Sequence, residues 1–232
     1  GDNVTTKSQK TKWYKGGHLL QMLENIEIFS DNNLVDARFD IQTVIRPHSD
    51  KWHDFRGYAG KIVSGRFQVG HKVQILPSGF ETRIKDMRIY KDELTEACTP
   101  ASVVMQLEDD IDAGRGDMIA RVDNLPKTKQ NFDAMICWMS EDLMLPRKKY
   151  LLKHGSNEVT CLVTKKVYTL DVNTFSKADD QSLKVGLNDI ARISIKTSKP
   201  INFDEFESNR ANGSFILIDT QTNETIAAGM IK

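Results

Sequence analysis

A chain of 232 residues is long enough for one large domain or for two of about 100 residues each, and it can bury a core without disulfide or metal staples. Hydrophobic residues make up 39% and charged residues 28%, and no apolar run approaches the ~20 residues that a membrane-spanning helix needs. The 32 Lys and Arg cancel the 32 Asp and Glu, which excludes a strongly basic nucleic-acid binder as the default reading.

Residues 1–12 are polar and rich in Lys, Thr and Ser, the composition of a mobile tail. Residues 17–26 follow a helical period, with Leu19, Leu20, Leu23 and Ile26 on one face. From Val35 the period changes to two. Phe39, Ile41, Thr43 and Ile45 share one face of a strand, and Arg38, Asp40, Gln42 and Arg46 share the other, so this strand reads as half-buried. Val73 and Ile75 alternate with Lys72 and Gln74, and Val103, Met105 and Leu107 alternate again. Ile84 and Met87 break parity, which predicts a bulge within residues 82–90. Turn signals stand at Gly65, Gly70, Pro77-Ser78-Gly79 and Gly114-Arg115-Gly116.

Asp123-Asn124-Leu125-Pro126 marks a joint, after which a second series of strands begins. They fall at 132–139, at 159–168 (with Val159, Cys161, Val163 and Val167 on one face), around Ala191, Ile193 and Ile195, at 215–218 and at 226–231. Residues 202–209 allow a helical turn. The predicted fold class is all-β: two tandem antiparallel barrels with a short N-terminal helix. The expected division is 1–33 as tail and helix, 34–122 as the first barrel, 123–128 as the linker and 129–232 as the second barrel.

Chemistry-bearing residues are sparse. Three cysteines with no CxxC spacing argue against disulfides and structural zinc and suit a reducing cytoplasm; Cys137 and Cys161 read as small core hydrophobes. His48 and His53 bracket a proline-led loop that lacks the further ligands a metal would require. Glu108-Asp109-Asp110-Ile111-Asp112 with Asp117 lacks calcium-loop spacing and reads as a solvated turn. Arg147-Lys148-Lys149, Lys153, His154, Lys165 and Lys166 form a basic zone better suited to a charged exterior or a protein contact than to nucleic acid. Gly57, Gly60 and Gly65 are too widely spaced for GxGxxG, and no GxxxxGKS/T is present. They read as structural glycines of a small barrel. No residue is assigned to catalysis, to GTP or to a metal.

The block from Phe55-Arg56-Gly57-Tyr58-Ala59-Gly60 through Leu76-Pro77-Ser78-Gly79 carries a family likeness. So do Trp13-Tyr14-Lys15-Gly16, Arg38-Phe39, Val44-Ile45-Arg46-Pro47, Arg115-Gly116-Asp117, Trp138-Met139, Asp171-Val172-Asn173, the run from Gly213 to Asp219, and Ala228-Gly229-Met230. In these, nearly the whole chain resembles the two elongation-factor-Tu-like barrels of the large, GTP-binding subunit of bacterial sulfate adenylyltransferase. Residues 49–53 depart from the family pattern as an insert. The resemblance implies that a GTPase domain precedes this stretch, that residues 17–26 are its last helix, and that GTP and Mg belong to that domain. It further implies a small catalytic subunit that joins sulfate to ATP, giving adenylyl sulfate and pyrophosphate, while GTP hydrolysis drives the uphill step. Arg56 and Arg66 are expected to project, exposed, toward a neighbouring domain. The alternative is a translation factor whose barrels hold aminoacyl-tRNA, which the neutral net charge disfavours.

Overall fold

The computed structural model describes residues 1–26, 32–47, 55–145, 147–178 and 184–232; His48, His53 and the 49–53 insert lie outside the described residues. The chain divides into two units, Gly1–Asn32 and Asn33–Lys232.

In the first unit, Ser8 caps a single 3-10 turn, Gln9–Thr11, by accepting from the Lys10 amide. The helix α1, Leu19–Asn25, is shorter than the sequence period predicts. His18 caps it, its Nδ1 accepting from the Gln21 amide at 3.1 Å. No residue of the helix is buried, and Leu19, Leu20, Leu23 and Ile26 are all exposed.

The second unit holds the two barrels. The first is built from β1 (Arg38–Ile45), β2 (Gly57–Ser64), β4 (Lys72–Leu76), β5 (Glu81–Ile89), β8 (Ser102–Leu107) and β9 (Met118–Arg121). Their order is β4-β9-β1-β2-β8-β5, and the β4–β5 pairing closes the ring. β3 (Arg66–Gln68) pairs with β7 (Glu96–Cys98), and the two-residue β6 (Asp92–Glu93) edges β5. The predicted bulge is present as a register shift between Ile84 and Asp86 against β8.

The second barrel uses β10 (Lys127–Trp138), β11 (Lys149–His154), β12 (Asn157–Leu170), β14 (Ile190–Phe203), β15 (Ser214–Asp219) and β16 (Thr225–Ile231). The order is β11-β15-β16-β10-β14-β12, closed by β11–β12, with β13 (Lys177–Ala178) on the edge of β12. Each barrel encloses its own core: Phe39, Ile41, Ile62, Phe67, Val73 and Met105 in the first, and Ile136, Trp138, Leu152, Ile193, Phe203 and Leu217 in the second. Period two drives both, because alternate side chains of a closed sheet share one interior.

Three expectations are corrected. Strand β1 keeps its predicted inward face only as far as Ile41: a register shift before Thr43 packs Val44 against the core and leaves Thr43 and Ile45 exposed. Strand β12 does not keep one parity: register shifts after Val163 and after Lys166 turn Lys166 inward and leave Val167 half-buried. The buried Lys166 ammonium donates to the Lys184 carbonyl at 3.1 Å. The helical turn allowed at 202–209 occupies only the later part of that stretch, since Asn202 and Phe203 still pair with Thr128 and Lys127. Only a turn follows, in which the Ser208 and Asn209 amides both donate to the Glu205 carbonyl.

Candidate functional site at the seam of the two barrels

The glycine block lies where the first barrel is tightest. Gly60 faces Ile41 across the β1–β2 pair, and a Cβ there would overlap the Asp40 carbonyl oxygen. Gly65 turns the chain between β2 and β3 with φ +74°, and a Cβ would overlap the Ala37 backbone. At Gly57 a Cβ would sit 2.7 Å from Val104 Cγ1.

Arg56 differs from its expectation. Its side chain is only 12% exposed, and it donates to Asp110 at 2.5 Å and to Asp112 at 2.9 Å. Its guanidinium also lies 5.8 Å from the centre of the Tyr58 ring. Arg56 thus does not project toward a neighbouring domain but is held by carboxylates of the barrel's own turn. That turn is not merely solvated: it ties down Arg56, while Asp109 accepts from Thr82 Oγ1 at 2.8 Å. Arg66 is half exposed and pairs with Glu96 at 2.9 Å across β3–β7.

The larger polar constellation joins the barrels. Arg38 and Asp40 stand on the polar face of β1, yet both are buried. Arg38 reaches Asp204, just past the end of β14, in a two-pronged pair: Nε to Oδ2 and Nη2 to Oδ1, both 2.9 Å. Its remaining donors reach the Ala37 and Asn124 carbonyls and Asn124 Oδ1, so all five N–H groups are satisfied. Asp204 also accepts from Asn209 Nδ2 and Asn212 Nδ2, each at 2.9 Å. Asn209 donates in addition to Ser64 Oγ at 2.8 Å, which brings the network back to the first barrel.

A second polar contact lies beside it. The turn between β11 and β12 presses its backbone onto Asp40, so closely that a Cβ on Gly155 would overlap the carboxylate. Burial raises the Asp40 pKa above its usual value, while nearby His154 and the Ser156 amide act in the other direction. Ser156 Oγ donates to the Ile41 carbonyl at 3.0 Å. His154 is buried, and its Nε2 lies 2.9 Å from the Asn212 carbonyl, which accepts its proton. Leu76, Met118 and Ala120 form a small buried apolar cluster on the same side of the first barrel. No sequence signal singled out Arg38, Asp204, Asp40 or His154 as partners, because they are brought together from distant strands.

The cysteine and basic-zone readings divide. Cys161 is a core side chain whose thiol burial pushes up to about 12, so it stays protonated at neutral pH. Cys137 points outward from β10, between the inward Ile136 and Trp138, and is not a core residue. His154 and Lys166 leave the basic zone for the interior, and Lys148 pairs with Asp219 at 2.6 Å. Among the described residues no group of three or more His, Cys, Asp or Glu could hold a metal ion, and no helix is long and apolar enough to cross a membrane.

This arrangement joins and orients two barrels; it does not place a nucleophile beside a base. Residues 131–232 match the GTP-eEF1A C-terminal domain-like family. The whole chain is 45% identical over 232 residues to a bifunctional enzyme CysN/CysC of Mycobacterium tuberculosis, covering 38% of that protein. It is 44% identical over 231 residues to sulfate adenylyltransferase subunit 1 of Bacteroides fragilis, covering 47% of it. The chain therefore spans half the length or less of the curated relatives it matches. Among solved structures, sup35 complexed with GDP matches all of the chain and 56% of its own at TM-score 0.75 and 18% identity. Elongation factor SelB from Methanococcus maripaludis matches 92% and 46% at TM-score 0.68 and 16% identity. These last two show the barrel fold alone. Across all of its residues, the chain is a relative of sulfate adenylyltransferase subunit 1, built on barrels of the elongation-factor type.

Proposed function

We propose that these barrels are the rigid body of a GTP-coupled sulfate adenylyltransferase subunit working in cytoplasmic sulfate assimilation. The observation that carries the reading is the 44% identity to sulfate adenylyltransferase subunit 1 of Bacteroides fragilis, which extends over both barrels and the segment before them. A GTPase domain binds GTP and Mg, and a small catalytic subunit joins ATP and sulfate. The anhydride formed is less stable than the bond broken, so the reaction needs an element whose position follows the γ-phosphate. The barrels serve that cycle by shape: the Arg38–Asp204 pair and the Asp40 contact hold them in one orientation, so a push on either is passed to the other. Arg66 remains available for a domain contact, since its side chain is half exposed.

The test is reconstitution of the full gene product containing this stretch with its small subunit. Adenylyl sulfate should accumulate only with hydrolysable GTP. GTP-independent formation, or steeply salt-dependent binding of aminoacyl-tRNA in its place, would assign the barrels to another task.

A further inference from the structure

The stretch after β14 that supplies Asp204, Asn209 and Asn212 to the seam also holds the chain's one Asn-Gly pair, Asn212-Gly213. Each member is fixed by packing. Asn212 is buried, and its Nδ2 donates to Asp204 Oδ2 at 2.9 Å, so the position calls for a side-chain donor of that reach. Gly213 lies against the Phe206 backbone, where a Cβ would stand 2.4 Å from Phe206 Cα and 2.5 Å from its nitrogen. The seam thus demands a dipeptide that is chemically prone to rearrange. A glycine nitrogen has no Cβ beside it to shield it, and the asparagine carboxamide before it reaches that nitrogen through a five-membered ring.

In the closed seam the rearrangement is blocked. The Asn212 amide donates to Asn209 Oδ1 at 3.3 Å, its carbonyl accepts from His154 at 2.9 Å, and the Gly213 carbonyl accepts from the Ile231 amide at 2.8 Å. With the side chain also held on Asp204, neither the carboxamide nor the peptide plane turns into an attacking geometry. The anchors run to the first barrel: Asn209 donates to Ser64 Oγ at 2.8 Å, and Asp204 is gripped by Arg38. Parting of the barrels therefore loosens Asp204 and Asn209 together, and with them the Asn-Gly pair.

We propose that Asn212 is a self-modification site, silent while the seam is closed and converted to a carboxylate when the barrels part. The Gly213 nitrogen attacks Asn212 Cγ, the Cγ–Nδ2 bond breaks, and ammonia leaves carrying the proton of the Gly213 amide. Water then opens the cyclic imide at either carbonyl, which gives aspartate or its β-linked isomer at position 212. Either product sets a second carboxylate where Asp204 now finds a donor. Two like charges in one buried site repel, so the seam does not close again on its former network. The site records opening and makes it permanent.

The experiment incubates the full gene product containing this stretch at mildly alkaline pH and follows amide-to-acid conversion at Asn212 by peptide mass mapping. A synthetic peptide of residues 207–218 is run beside it. Conversion in the folded protein should be at least about tenfold slower than in the peptide. Asp204→Ala should bring it close to the peptide rate. Ser64→Ala removes one anchor of Asn209 and leaves both apolar cores intact, and it should speed conversion severalfold; it decides the matter if Asp204→Ala does not fold. Wild type converting as fast as the peptide, or Ser64→Ala converting no faster than wild type, overturns the proposal. Asn212→Asp should lower the melting temperature further than Asn212→Ala, because it adds a charge as well as removing a donor. Equal melting temperatures for those two variants would show that Asp204 does not feel the product, and would overturn it as well.

Discussion

Arg38 and Asp204 lie 166 positions apart in sequence and form one buried two-pronged ion pair between the barrels, with both N···O distances 2.9 Å. Taking two charges from water is costly, and the pair persists because every donor of the arginine and four acceptor contacts of the carboxylate are satisfied. Removing one partner leaves the other charge stranded. Asp204→Ala should therefore destabilise the chain by about 3–5 kcal/mol. Denaturant unfolding is the measurement, and Arg38→Met with Asp204→Leu together should recover a good part of the loss. Equal damage from the double and single variants would show that shape, not charge, decides the seam.

Asp40 gives a pH dependence with a definite sign. Its folded pKa is raised above 3.8 by burial, so the folded chain holds this proton more tightly than the unfolded chain. Its contribution is fully present below pH 3.8 and is lost as pH rises through the raised folded value. Asp40→Asn keeps the shape and an acceptor for the Ser156 amide but removes the titration. Urea midpoints followed upward from about pH 4 should fall for wild type relative to Asp40→Asn. Parallel curves for the two proteins would mean that Asp40 titrates alike in both states.

The glycine block and its arginines separate by backbone and by partner. Gly65→Val forces a β-branched residue to φ +74° against the Ala37 backbone, and should lower stability by at least about 1–2 kcal/mol. Arg56→Ala removes two ion pairs whose carboxylates are mostly exposed, so its cost should be only about 1 kcal/mol. Arg66→Ala should leave the melting temperature unchanged, because its pair with Glu96 is solvated on both sides. A melting temperature lowered as far by Arg66→Ala as by Gly65→Val would give Arg66 a structural role inside the barrel.

The chain by itself should bind a GTP analogue and magnesium weakly or not at all. A nucleoside triphosphate needs a phosphate-cradling loop, a lysine and metal ligands held together, and the sequence contains no GxxxxGKS/T. Isothermal calorimetry decides it: stoichiometric micromolar binding would place a nucleotide site on the barrels.

Period two in Phe39, Ile41, Val73, Val103 and Met105, with glycine and proline at the corners, made the first barrel legible from sequence, and the same pattern made the second so. Even the irregularity at Ile84 was legible, because a bulge leaves its mark as a break in local parity. Parity failed at Lys166, where two register shifts within one strand bury a charged residue that alternation alone puts outside. Arg38, Asp40 and His154 show the wider limit. A strand's pattern tells which side chains share a face, but not whether a second barrel covers that face. The polar side of β1 carries the residues a solvent face would carry, and only the tertiary structure makes it a seam, by supplying Asp204 and Ser156 from more than 100 positions away. Local periodicity is a property of neighbouring residues and is written in the sequence. Hydrogen-bond satisfaction between distant strands is a property of the packed molecule, and it decided which polar residues could be buried.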